Sequence, residues 1–102
     1  MPVIYVLSDE NHCEHVAQFP ALAEAVAFLR ERAKLPWNEP PNAAPCSSSA
    51  TCGREYWIHE YDDSSDPWRN LRDWRALDIS AKGVVWDQKF LKEMVSSSPD
   101  PG

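Results

Sequence analysis

The run at residues 54–63, Arg-Glu-Tyr-Trp-Ile-His-Glu-Tyr-Asp-Asp, limits the fold more than any other part of this chain. Side chains alternate across a strand, so Tyr56, Ile58 and Glu60 fall on one face and Trp57, His59 and Tyr61 on the other. Bulk on both faces suits a strand near the centre of a small sheet, covered on both sides over its first half. The run then turns acidic and empties into Asp62, Asp63 and Asp66. Residues 56–58 have a packing duty. Residues 59–63 have no core duty, and a site is looked for first where that strand leaves the core.

A sheet needs a cover, and residues 20–34 supply one. Pro20 fits a first helical position, where its missing N–H costs nothing. The run is rich in alanine, leucine, glutamate and arginine, all good helix formers. Leu22, Ala25, Val26, Leu29 and Ala33 recur at three- and four-residue steps, with Phe28 widening the stripe. The spacing predicts a helix whose apolar stripe lies on one face of the sheet.

The remaining elements follow from shorter signals. Val-Ile-Tyr-Val-Leu at residues 3–7 reads as a buried strand. Residues 12–19 alternate, with Cys13, His15, Ala17 and Phe19 on one face, and read as its hairpin partner with Cys13 buried. Pro36, Pro40, Pro41 and Pro45 make residues 35–53 a Pro/Ser-rich loop, pinned to the body by Trp37. Asp66 before Pro67 reads as an N-cap and first residue of a short helix over 67–74, with Trp68, Leu71 and Trp74 inward. Residues 75–80 and 84–86 read as a hairpin around Ala81-Lys82-Gly83. Residues 88–95 read as a last helical turn or two carrying Phe90, Leu91 and Met94. The expected class is α+β: a small, mostly antiparallel sheet, chain order ββαβ(α)ββ, with one long helix on one face. Residues 1–95 form a single domain and residues 96–102 a disordered tail.

Charge narrows the function. The chain has 102 residues and a net charge of −6. Phosphate contacts need a basic face, so nucleic acid is not expected as a partner, nor is an anionic membrane surface. A basic protein surface is. The same charge also serves plain solubility. No signal-peptide or membrane-spanning pattern is visible, which gives a cytoplasmic expectation.

Several residue sets are of types that carry chemistry. His12, Cys13, His15, Cys46, Cys52 and His59 are all zinc-ligand types, but no Cys-x2-Cys pair occurs and His12 and Cys13 point apart on a strand. An odd three cysteines do not close a disulfide framework. Cys46 and Cys52 can still reach each other in a flexible loop. Cys13 with His15, and Cys52 with His59, have no nucleophile signature around them. Glu60, Asp62, Asp63 and Asp66 cluster acidic groups, but the glycine of a calcium loop is missing. No metal, cofactor or catalytic residue is therefore expected.

Tryptophan is the residue in excess, with 5 in the chain. Trp57 and Trp86 are expected in the core with Trp68, and Trp37 and Trp74 in a partly exposed patch rimmed by acids. An apolar centre with a polar rim is the anatomy of a protein-binding surface. The expected site is Trp37, His59, Glu60, Tyr61, Asp62, Asp63, Asp66 and Trp74. The expected function is a non-enzymatic acidic protein-binding module, of inhibitor or immunity type, directed at a basic partner that acts on nucleic acid. Two alternatives stand beside it: a metal- or small-ligand-binding protein using the His, Cys and carboxylate groups, and a homodimer subunit pairing through an uncovered sheet face.

Overall fold

The computed structural model describes residues 3–40, 42 and 53–97. In chain order the elements are β1 (Val3–Asp9), β2 (Glu14–Phe19), α1 (Leu22–Ala33), β3 (Arg54–Asp62), β4 (Arg69–Ser80), β5 (Gly83–Trp86) and α2 (Gln88–Ser97). The strands form one antiparallel sheet of order β2-β1-β3-β4-β5. The aromatic run is thus the middle strand, as its two bulky faces require.

The register builds the core on one face. Leu7 of β1 and Trp74 of β4 flank Ile58, and Leu77 lies beside Tyr56. Ala25 and Leu29 of α1 and Phe90 of α2 close over them, and all are buried. Both helices therefore lie on the same side of the sheet. The chain is only 19 Å through its thinnest dimension, the depth of a sheet and one helical layer.

The stripe of α1 works as its spacing predicts. Ala25 and Leu29 are fully buried, and Leu22, Val26, Phe28 and Ala33 pack around them. Burying such a leucine contributes about 1.5–3 kcal/mol. The carbonyls at the C-terminal end of α1 are met by a side chain from the loop. Buried Asn42 donates to Arg32 O at 2.8 Å and Leu35 O at 3.1 Å, and accepts from Tyr56 OH at 3.2 Å. Arg32 donates to the same phenol at 3.1 Å. This start of the 35–53 loop returns to the helical side, where Trp37 packs half-buried against the core.

Five expectations are corrected. Among the described residues there is no single long helix but two, of 12 and 10 residues. Residues 67–74 are not helical: Asp66 and Pro67 sit in a turn, and β4 starts at Arg69 and runs without interruption through Ser80. β4 is extended because the long β3 needs a partner along its whole length, and that pairing overrides a local cap signal. β2 starts at Glu14, not at residue 12. Cys13 is exposed in the β1–β2 turn at φ 51°, not buried in a strand. Ser96 and Ser97 belong to α2 rather than to a tail. Residues 98–102 and Cys46 and Cys52 lie outside the described residues. Among those described, no helix is long and apolar enough to cross a membrane.

The β1–β2 turn is held from below by Asp9. Its fully buried carboxylate accepts from His12 Nδ1 at 2.7 Å, Arg54 at 3.0 Å and the Asn11 and Glu55 amides at 3.1 Å. Arg54 also reaches Glu14 at 2.7 Å. A buried acid with these donors is satisfied, and its role is structural.

Candidate functional site

Alternation on β3 divides the acidic–aromatic run between the two faces. Tyr56, Ile58, Glu60 and Asp62 point toward the helices and are buried. Trp57, His59 and Tyr61 point the other way, to a face over which no described element packs. There they form a ladder with Trp68 of the following turn. Trp57 and His59 stack at 6.3 Å and 11°, His59 and Tyr61 lie at 6.5 Å, and Tyr61 and Trp68 at 6.0 Å and 53°.

The expected site residues therefore separate. His59, Tyr61 and Asp66 come together on the open face. Glu60 and Asp62 face the helical side, Asp63 is half-buried in the turn, and Trp37 packs against the core. Trp74 is not part of an exposed patch. It is 8% exposed and lies under the Arg72 guanidinium, 4.9 Å from its ring centre. Trp68, expected inward, is 44% exposed. The tryptophans of the open face are thus Trp57 and Trp68. The Trp57 indole N–H is enclosed, with no acceptor among the described residues.

Glu60 anchors the helical side. It accepts from Tyr5 OH at 2.8 Å and from Arg72 at 3.1 and 3.3 Å. Burial opposes its charge, but the bonds from Arg72 and Tyr5 and the Arg72 charge outweigh burial, and the pKa falls below the ordinary 4.5. Hydrogen bonds from the Ser64 hydroxyl and amide lower that of Asp62 as well. These carboxylates are committed within the fold.

The centre of the open face is a hydrogen-bonded chain across three strands. His59 Nδ1 lies 2.6 Å from Asp73 Oδ1 of β4, and Nε2 lies 2.8 Å from Ser8 Oγ of β1. Ser8 Oγ is in turn 2.6 Å from Glu10 Oε2. Ser8 and Asp73 carried no signal in the sequence, because only the β1–β3–β4 register brings them to His59. The connectivity is that of a Ser-His-Asp triad. Two features oppose a nucleophilic serine. Its one hydrogen is donated to Glu10 and so is not aimed at the His59 ring, the reverse of what a general base needs. Ser8 also lies inside a strand paired on both sides, opposite His15 and Trp57, rather than on an exposed turn. The chain fixes the imidazole between its two aromatic neighbours.

The charges around the face are mostly acidic. Glu55 and Asp78 pair with Arg75 at 2.9 and 2.6 Å, Asp73 pairs with His59, and Asp66 stands beside Trp68. Among the described residues, no group of three His, Cys, Asp or Glu has the geometry to hold a metal ion.

The fold and face define an α+β domain with one helical layer and one aromatic, acid-rimmed sheet surface. No protein-family model matches the chain, and neither curated proteins nor solved structures give a significant match.

Proposed function

We propose that this chain is a protein-binding module that meets a basic partner through the open face of its sheet. The observation that carries the reading is the ladder Trp57–His59–Tyr61–Trp68, opposite the face that both helices cover. Aromatic side chains give large contact area at low entropic cost and dominate protein interfaces. The net charge of −6 and the acidic rim set the sign of the partner. An inhibitor or immunity-type protein that blocks a nucleic-acid-acting enzyme fits both, since such enzymes present basic surfaces.

The test is fluorescence anisotropy with labelled basic peptides of net charge about +4, at about 50 and about 500 mM salt. The peptides bind at low salt and are released at high salt. The Tyr61→Ala, Trp68→Ala double variant loses binding, while Leu91→Ala on α2 keeps it. Equal binding by the double variant overturns the reading.

A second reading, hydrolysis, is favoured by the Ser8–His59–Asp73 connectivity alone. The position of Glu10 and the setting of Ser8 inside a paired strand rank it below binding. Homodimerisation through the open face ranks below it too, because two acid-rimmed faces repel when brought together.

A further inference from the structure

The open face ends in a cleft of about 490 Å³ between the Trp68 turn and strands β1 and β2. Val6, Tyr61 and Trp68 line it, together with the polar side chains of His15, Gln18 and Asp66. The rings of Tyr61 and Trp68, tilted at 53°, leave the exposed Trp68 indole open to a ligand.

The carboxylates nearest the ladder are engaged: Asp73 by His59, Glu55 and Asp78 by Arg75, and Glu10 by Ser8. Asp66 is exposed, and among the described residues no hydrogen bond or ion pair engages its carboxylate. The cleft therefore joins an open aromatic face to an uncommitted negative charge.

The other side of the sheet shows what such a pair accepts. There the Arg72 guanidinium lies 4.9 Å from the centre of the Trp74 ring and pairs with Glu60 at 3.1 Å. Trp68 and Asp66 present the same ring and carboxylate without the arginine. A guanidinium is planar and weakly hydrated, so it stacks on an indole while its edge donors reach a carboxylate and, here, the Gln18 amide oxygen. An ammonium holds its water more strongly and has no plane to stack. An anion is repelled by Asp66.

We propose that the cleft between the Trp68 turn and strands β1 and β2 is an arginine subsite, taking one guanidinium of the basic partner onto the Trp68 ring with Asp66 as its counter-charge. It rests on the reading of the open face as the partner-binding surface and names what that surface selects.

The test compares three peptides of one sequence, in which the central basic residue is arginine, lysine or citrulline, titrated into the full chain. Binding is followed by the indole N–H resonance of Trp68, assigned through Trp68→Phe. The arginine peptide binds about tenfold tighter than the lysine peptide and shifts the Trp68 resonance; the citrulline peptide, neutral at the same shape, loses that margin. Asp66→Asn narrows the arginine preference to about twofold with an unchanged urea midpoint. Arginine and lysine peptides binding equally well, or an arginine preference that survives Asp66→Asn, overturns the subsite. The open-face reading still stands in that case if both peptides bind and the Tyr61→Ala, Trp68→Ala variant loses them. Peptides that bind nowhere on the face overturn both.

Discussion

The rings of Tyr61 and Trp68 stand 6.0 Å apart, one from the end of β3 and one from the turn that follows it. Tyr61 is half-buried and Trp68 is 44% exposed, so the contact closes the ladder while leaving one indole face in solvent. An exposed ring of this kind contributes little to stability. Trp68→Ala should move the unfolding free energy by no more than about 0.5 kcal/mol in a urea melt. A loss of several kcal/mol would make Trp68 a core residue and remove it from the site.

Leu29 and Asn42 are buried on the opposite side, and there truncation should be costly. Leu29→Ala should cost about 2–5 kcal/mol, since the residue is fully buried beneath the sheet. Asn42→Ala removes one bond to the Arg32 carbonyl of α1, one to the Leu35 carbonyl just beyond it and one from Tyr56, and should cost about 1–3 kcal/mol. Urea melts check both; a cost near zero for Asn42→Ala would mean that water replaces the amide.

Glu60 gives the fold an acid limb. Its pKa is lower in the folded chain than the ordinary 4.5, so its stabilisation is complete above that value and is lost as pH falls through the folded pKa. Urea midpoints measured from about pH 7 to about pH 3 should fall on the acid side, and Glu60→Gln should flatten that fall. Asp62, shifted the same way, keeps the variant from becoming pH-independent. An acid limb unchanged in Glu60→Gln would contradict the assignment.

Ser8 should behave as a structural hydroxyl. A fluorophosphonate reagent should leave it unlabelled, because Glu10 and His59 hold its oxygen and it lies inside a paired strand. Mass spectrometry showing an adduct on Ser8, absent in His59→Ala, would reverse the ranking of binding over hydrolysis.

Much of the architecture was legible. The stripe of residues 20–34 and the two-sided alternation of residues 54–62 correspond to α1 and to the middle strand. The first half of β4 was not legible, and bulges explain why. The β3–β4 register shifts between Tyr56 and Trp57 and again between Glu60 and Tyr61, so Ala76 and Leu71 are extra residues in β4. Each resets the alternation, and Trp74 arrives on the buried face, next to Ile58, with no period-two pattern to announce it. The site shows the same limit. His59 and Tyr61 were visible from β3 alone, while Ser8 and Asp73 became its neighbours only through pairing with strands distant in sequence.

The central claim is that the open face, not the helical side, receives a basic partner. Its most direct test is a titration of the isotope-labelled chain with the arginine-containing basic peptide at low salt, mapping shifts over all assigned amides and indoles. The shifts expected are confined to the outward positions of β1, β2 and β3 and to the turn at residues 66–68, reversed by salt and absent in the Tyr61→Ala, Trp68→Ala variant. Shifts centred on α1 and α2, or spread evenly over the surface and indifferent to that variant, would contradict it.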